Sequence, residues 1–505
     1  TINSSGVAIS GVATAGIVTA TTLYGDGSNI TGIGATIAPL FYQPDPYDSE
    51  VVLDAGIGIT FNSQVKAGSG EVTLRLVGAA GTVVENFGVG SSVTISENRI
   101  TINPTADLSL DTVYHINYPS GCFTNNEGTD YVGTAYTFLG RPLYNQLWVW
   151  GRNNPGTLGQ NNTTSYSSPV QIPGTNWKNI SRKSSQGSYH SLATKTDGTL
   201  WVWGENTEGE LGLNSVISHS SPVQLPGTWG ANASLESGQD WTGVVSTDGE
   251  LWVWGKNHYG QLGQNNRASY SSPVQLPGTT WSEYTTDNGF GFSMAKKTDG
   301  TLWSWGYAGY GQLGISDRNR RSSPVQIPGT TWTGEIAAGK YAAFAIKTDG
   351  TLWVWGQNAG GLLGQNQAPF GGYSSPVQIP GTTWSKVASS EETAGAIRTD
   401  GTLWMWGYGN YGELGLNQAG GYRQTQISSP TQVPGTTWDD IWIAQYSAGG
   451  KKTDGTLWEW GYNGFGQFGT NQPTSTQISS PVQIGSDTDW TKYKGGADVM
   501  AIKQL

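Results

Sequence analysis

One cysteine, three methionines and four histidines are spread over 505 residues. A single thiol, Cys122, builds neither a disulfide framework nor a cysteine zinc site, and it is expected as a small buried residue. The histidines, at 115, 190, 219 and 258, share no ligand spacing. No apolar run approaches the ~18 residues that a membrane-spanning helix needs. Charged residues make up only 12% of the chain and the formal net charge is −11, which argues against a nucleic-acid surface. Much of that acidity is local, because residues 1–142 hold 12 acids and 4 bases. Neither a phosphate loop nor a nucleophile elbow is present. From these absences we expect no catalysis, no cofactor, no metal, no nucleic-acid partner and no membrane insertion.

Glycine (74 residues) and tryptophan (23) are abundant instead, which suits a turn-rich all-β chain. Residues 251–263 read Leu-Trp-Val-Trp-Gly-Lys-Asn-His-Tyr-Gly-Gln-Leu-Gly. The pattern occurs seven times, with first tryptophans Trp148, Trp201, Trp252, Trp303, Trp353, Trp404 and Trp458. Each copy continues to Ser-Pro-(Val/Thr)-Gln and one further tryptophan, from Trp177 in the first to Trp490 in the last. A period of about 50 residues, dense in short strands and turns, predicts a β-propeller with one blade per copy, here seven blades over residues 143–505.

Residues 345–355, Ala-Ile-Lys-Thr-Asp-Gly-Thr-Leu-Trp-Val-Trp, explain how a blade is built. Asp349-Gly350 supplies the backbone dihedrals of a tight hairpin turn between two short strands. In the second strand Trp353 and Trp355 face one side while Leu352 and Val354 face the other. Both faces are apolar, as a strand held between two neighbouring blades requires, so the tryptophans are expected to be core. The first copy lacks its hairpin. Residues 498–503, Asp-Val-Met-Ala-Ile-Lys, align with the strand that precedes the hairpin elsewhere. The two ends of residues 143–505 are therefore expected to share one blade, which removes the open edge.

The pattern Trp-Gly-x-Asn-x-x-Gly-x-Leu-Gly of residues 254–263 resembles the repeat of the regulator of chromosome condensation family. The Asn is replaced at Ala308 and Gly409, and Phe468 stands where Leu is usual. The Gly-x-x-His that often precedes the hairpin in that family survives only at His190, so no ring of histidines is expected. Residues 37–142 change character: seven short β-prone runs, at 51–53, 57–61, 71–76, 92–95, 99–102, 112–117 and 135–138, alternate with Gly/Asn/Ser turns and predict a β-sandwich. Residues 59–65, 108–116 and 136–138 resemble the Ig-like module of bacterial surface-layer and adhesin proteins, where it is a spacer. Residues 1–36 are small and β-branched with glycine recurring every five positions, and are expected to form an extended segment whose strands pair with other chains. Within them, residues 19–32 resemble a segment of phage tail-fibre and other phage structural proteins. The expected fold is all-β: an extended segment (1–36), an Ig-like β-sandwich (37–142) and a seven-bladed propeller (143–505).

Repeats hold in common what packing requires, so binding is sought where copies differ. The stretches after each Leu-Gly vary most, and the longest carry Phe370, Tyr373, Tyr422 and Arg423. Arg318, Arg320 and Arg321 form a basic cluster on an acidic chain. These seven residues are the candidate partner-binding set, for an anionic polymer or a protein. The repeat's resemblance also carries guanine-nucleotide exchange on a small GTPase, from which the phage-like and bacterial-type N-terminal parts point away. The expected role is a phage virion structural protein, a fibre or capsid decoration. Residues 1–36 would bind other copies, as a homotrimer, and virion proteins, while the propeller would meet a host cell-surface glycan or protein. A secreted bacterial adhesin or surface-layer protein is one alternative. A propeller that binds and regulates a protein partner is another.

Overall fold

The computed structural model describes residues 39–43, 57–76, 81–106, 108, 112–131, 135–140, 145–181, 189–287, 289–367, 371–418, 426–471 and 477–504. The expected extended segment at 1–36 and the run at 51–53 lie outside them. The chain divides into two compact units, Thr1–Leu143 and Tyr144–Leu505.

The first unit is a sandwich of two four-stranded antiparallel sheets. One runs Pro39–Gln43, Ile57–Phe61, Arg99–Ile102, Val93–Ser96; the other runs Ala135–Gly140, Thr112–Asn117, Glu71–Leu76, Val83–Gly88. Strand alternation sends Ile57, Ile59, Phe61, Ile100 and Ile102 from one sheet, and Val72, Leu74, Tyr114 and Ile116 from the other, into a single core. Cys122 is buried there with its Sγ 3.6 Å from the Glu71 carbonyl.

The second unit is a ring of seven four-stranded antiparallel sheets. Blades 1 to 6 follow in chain order, with inner strands Trp177–Ile180, Ser234–Ser237, Trp281–Thr286, Ile336–Ala338, Trp384–Ser389 and Trp438–Ile443. Blade 7 takes its two inner strands, Trp490–Lys494 and Asp498–Gln504, from the end of the unit and its two outer strands, Asn145–Gly151 and Tyr166–Gln171, from the beginning. Asn145 pairs with Gln504 and Gly151 with Asp498 across that seam, as the missing hairpin implied.

The repeated residues divide between making a blade and joining it to the next. At five of the six Asp-Gly turns the aspartate accepts from the following threonine, and that hydroxyl in turn accepts from the first tryptophan; in blade 2 Glu250 takes the threonine's place and accepts from Trp252. In blade 3, Asp299 Oδ1 lies 2.7 Å from Thr301 Oγ1, and Trp303 Nε1 lies 2.9 Å from the same hydroxyl. Lys297, just before the turn, sits 4.5 Å from the Trp281 ring and 4.8 Å from that of Trp303, so an inner-strand and a third-strand tryptophan hold one cation between them.

The second tryptophan of each copy is buried and reaches back to the preceding blade. Trp305 Nε1 donates to the Gln261 carbonyl at 2.8 Å, and an equivalent bond occurs in all seven blades, the seam included, where Trp150 donates to Gln467. The Asn of the motif folds the loop that follows: Asn257 Oδ1 accepts from Leu262 N, and its Nδ2 reaches the Asn266 and Ala268 carbonyls. That loop then docks on the next blade. Asn265 N donates to Ser322 O at 2.6 Å, and across the seam Asn471 N donates to Ser167 O at 3.0 Å. Gly260 permits the approach, since it has φ +84° and a Cβ there would lie 2.7 Å from Ser322 Cα.

Candidate interaction face

Adjacent strands of a blade are antiparallel, so the loops after its first and third strands emerge at one end of the ring. The Asp-Gly turns lie at the other, which is taken up by the Asp-Thr-Trp bonds and the Trp–cation–Trp stacks already described. The first end differs from blade to blade and carries a band of half-buried aromatic rings.

In blades 2 to 4 the rings are Tyr259, Phe290, Tyr307, Tyr310 and Tyr341. Tyr259 and Tyr307 have centroids 5.4 Å apart, Phe290 stacks on Tyr307 at 5.5 Å and 21°, and Tyr310 lies 5.4 Å from Tyr341. In blades 5 and 6 the rings are Tyr411, Tyr446, Tyr462 and Phe465, with Tyr411 4.6 Å from Tyr446 and 5.6 Å from Tyr462. Among the described residues, three cations clasp this band where blades meet. Arg320 lies over Tyr259 and Tyr307 at 5.0 and 5.4 Å, Lys340 over Phe290 and Tyr341, and Arg152 of blade 7 over Phe465 and Tyr189. Lys340 also pairs with Glu391 of blade 5 at 3.1 Å. Burial holds the Tyr446 phenol above its ordinary pKa, with Tyr411 and Glu391 adding to the effect.

The residues singled out in the sequence fare unequally. Arg320 is exposed and belongs to the band. Arg318 is exposed, with no contact to the rings. Arg321 is not a free charge: its guanidinium bonds Asp317 at 2.5 Å and the Asn319 carbonyl at 2.9 Å. It clamps the one described loop whose motif Asn is replaced by alanine, Ala308. Tyr373 is not loop-borne either. It lies in the outer strand Gly372–Ile379 opposite Gly356, in the register that Arg321 occupies opposite Gly306, and its hydroxyl donates to Gln367 Oε1 at 2.9 Å. Phe370, Tyr422 and Arg423 lie outside the described residues.

The aromatic band went unnoticed in the sequence because its members stand inside or beside the conserved motif rather than in the variable stretches after it. Tyr at the third position after Trp-Gly-x in blades 2, 3 and 5, or directly after Trp-Gly in blades 3, 5 and 6, was the available signal, although Tyr408 of blade 5 is buried.

Two interior features complete the picture. His190 is fully buried, its Nε2 2.7 Å from Thr242 Oγ1, and burial together with the nearby Lys494 charge lowers its pKa to about 3. The channel at the ring's axis is polar, with Lys386 bonded to Glu335 at 2.8 Å, and is narrowed where Trp442 packs on Tyr493 at 3.9 Å. Among the described residues, no group of three or more His, Cys, Asp or Glu side chains is placed to hold a metal ion.

Comparison with known proteins bears on both units. The Regulator of chromosome condensation (RCC1) repeat matches residues 144–194, 248–282, 299–346 and 400–453, and a second form of the same repeat matches 185–210 and 335–361. A bacterial Ig-like domain matches residues 35–139. A mitochondrial RCC1 domain-containing protein of Arabidopsis thaliana is 26% identical over 340 residues, covering 64% of this chain and 76% of the relative. The ultraviolet-B receptor of the same plant is 31% identical over 184 residues, 36% of this chain and 42% of the receptor. Among solved structures, yeast RCC1 (Prp20) bound to Kap60 superposes with a TM-score of 0.61 at 17% identity, over 72% of this chain and 89% of that one. Human WBSCR16 gives 0.59 at 18% identity, over 71% and 99%. Repeat matches and fold thus agree: residues 35–139 match a bacterial Ig-like domain, and the β-propeller that follows is built on repeats that match the regulator of chromosome condensation (RCC1) repeat.

Proposed function

We propose that this chain works by binding rather than by catalysis, and that the aromatic end of its propeller is the surface that docks a protein partner. The observation that carries this is the asymmetry of the two ends. At one, the Asp-Gly turns are tied into the threonine, tryptophan and cation contacts of their own blades; the other presents Tyr259, Phe290, Tyr307, Tyr310, Tyr341, Tyr411, Tyr446 and Tyr462 in a band edged by Arg152, Arg320 and Lys340. Tyrosine and arginine are the side chains that most often anchor protein interfaces. A propeller of the same fold, yeast RCC1 (Prp20), has been captured with a protein, Kap60, bound to it. That supports a partner-binding head.

The Ig-like unit is then a spacer, and residues 1–36 an anchor. A virion fibre with the chain as a homotrimer, or an extracellular adhesin, are settings for such a head. The first rests on the phage-like residues 19–32. Light scattering tests it: loss of oligomer on removing residues 1–36 supports the fibre, and a full chain that is monomeric removes it.

The face itself is tested by placing a photo-crosslinking residue at Tyr310 and, separately, at Asp349 on the opposite end. A captured protein is then purified and its affinity measured directly for wild type and for Tyr307→Ala/Tyr310→Ala. Capture from position 310 alone, with binding weakened about tenfold or more in the double variant, is expected. Equal affinity for both proteins overturns the assignment.

A further inference from the structure

The seven blades act as controls for one another, and this exposes a vacancy. Two blade junctions on the aromatic face pair a tyrosine from the preceding loop with a tyrosine directly after Trp-Gly. Between blades 2 and 3 these are Tyr259 and Tyr307, with centroids 5.4 Å apart and ring planes at 67°. Between blades 5 and 6 they are Tyr411 and Tyr462, 5.6 Å apart at 55°. A third ring from the loop after the blade's inner strand joins each pair, Phe290 in one and Tyr446 in the other.

The first cup is filled by its own chain. Arg320, the residue before the one that pairs with Gly306, lays its guanidinium over both tyrosines. In blade 6 the corresponding residue, one before Ile478 opposite Gly461, is Gln477. Residues 470–484 contain no lysine or arginine at all. Among the described residues, no cation lies over Tyr411, Tyr446 or Tyr462, all three of which are half-buried and partly open to solvent. The carboxylates of Glu391 and Glu392 lie close enough to Tyr446 to act on its phenol, and Lys340, paired with Glu391 at 3.1 Å, opposes them. The open cup thus gathers three π faces with none of its own chain's cations over them, the arrangement that receives a bound cation.

We propose that the Tyr411–Tyr446–Tyr462 cup receives an arginine side chain of the protein partner, in the place that Arg320 occupies in the sister cup. This rests on the aromatic end being the partner-binding face, and it names one anchor of that interface. A guanidinium fits better than an ammonium because it is planar, stacks on rings and is weakly hydrated. The cup sets orientation and one contact; the rest of the band supplies the area.

The probe is a short acetylated peptide, Gly-Ser-Arg-Ser-Gly, titrated into the full-length chain while the tyrosine ring resonances are followed by NMR, with the citrulline peptide as its uncharged isostere. A lone arginine is expected to bind with a dissociation constant on the order of millimolar. Citrulline should bind about tenfold more weakly or not at all. Tyr462→Phe keeps the ring face and should keep binding; Tyr462→Leu keeps bulk without the π face and should lose it. Gln477→Arg, which supplies the missing internal cation, should abolish peptide binding and leave the fold intact. Equal response to arginine and citrulline, or binding unchanged in both Tyr462→Leu and Gln477→Arg, overturns the proposal. If the peptide fails while crosslinking from Tyr310 still identifies a partner, the cup is refuted and the face survives.

Discussion

In the copies of the motif, the residue before Leu-Gly is Gln in blades 2, 3 and 6 and Glu in blades 1 and 5. Its side chain has the same task in all five. The backbone N–H two residues earlier donates to it: Tyr259 N to Gln261 at 2.9 Å, Glu208 N to Glu210 at 2.8 Å, Tyr411 N to Glu413 at 2.7 Å. Glutamine does this uncharged. Glu210 and Glu413 are buried carboxyls, and burial lifts each from 4.5 to about 7 against the backbone bonds that lower it. Between about pH 4.5 and 7 the folded chain therefore keeps a proton at each site that the unfolded chain has released. Stability falls as pH rises through that window and is flat above it. At about 1.4 kcal/mol per pH unit, each site loses about 3 kcal/mol. Glu210→Gln/Glu413→Gln should remove that slope. The new amide donors forfeit part of the gain, as the unpartnered Nε2 atoms of Gln261 and Gln312 indicate. An unmet donor costs about 1–3 kcal/mol. The net expectation is a variant near wild type or slightly less stable at about pH 4.5 and more stable by about 1 kcal/mol or more per site at about pH 8. Urea titrations followed by tryptophan fluorescence read this selectively, because all 23 tryptophans lie at or beyond Trp148, in the propeller unit. Wild-type and variant stabilities that run parallel from pH 4.5 to 8 would refute the reasoning.

Three further outcomes are expected. Deleting residues 490–505 removes both inner strands of blade 7 and opens the ring, so the cooperative tryptophan-detected melt should collapse; a melting point unchanged from wild type contradicts the shared blade. Trp305→Phe keeps an aromatic ring but leaves the Gln261 carbonyl without its 2.8 Å donor, at a cost of about 1–3 kcal/mol by chemical denaturation. Gly260→Ala places a Cβ against Ser322 Cα at a residue with φ +84°, and a loss of about 1–3 kcal/mol is expected; a neutral effect would mean that blades 2 and 3 do not meet there as described.

The period and the seam were legible because both follow from local chemistry. Asp-Gly fixes a hairpin, alternation fixes a strand, and a copy without its hairpin must be completed by whatever sequence matches the missing piece. The same logic located Ile57–Phe61, Glu71–Leu76, Arg99–Ile102 and Thr112–Asn117 in the sandwich. It passed over Val83–Gly88, whose sequence Val-Val-Glu-Asn-Phe-Gly does not alternate. Only Phe87 of that edge strand is buried, while Val83 and Val84 are 42% and 47% exposed. An edge strand is held by its neighbour's backbone rather than by a buried face, and backbone pairing leaves no mark in side-chain pattern.

The interaction face was harder to read for a different reason. Charge counted along a chain does not say which charges are already spent: Arg321 looked like one third of a basic cluster, yet Asp317, four residues earlier, consumes it, and it does so because Ala308 left that loop without its clamp. The aromatic pairs pose the converse problem. Tyr259 and Tyr307 occupy different columns when the copies are superposed, one inside the loop and one directly after Trp-Gly, so neither column alone looks special. They meet only because each loop leans on the following blade, through bonds such as Asn265 N to Ser322 O. In a repeat protein the informative unit for function is therefore the junction between copies rather than the copy. Compared junction by junction, the seven blades separate cations that the fold supplies for itself from the one tyrosine cup for which blade 6's own loop has none to offer.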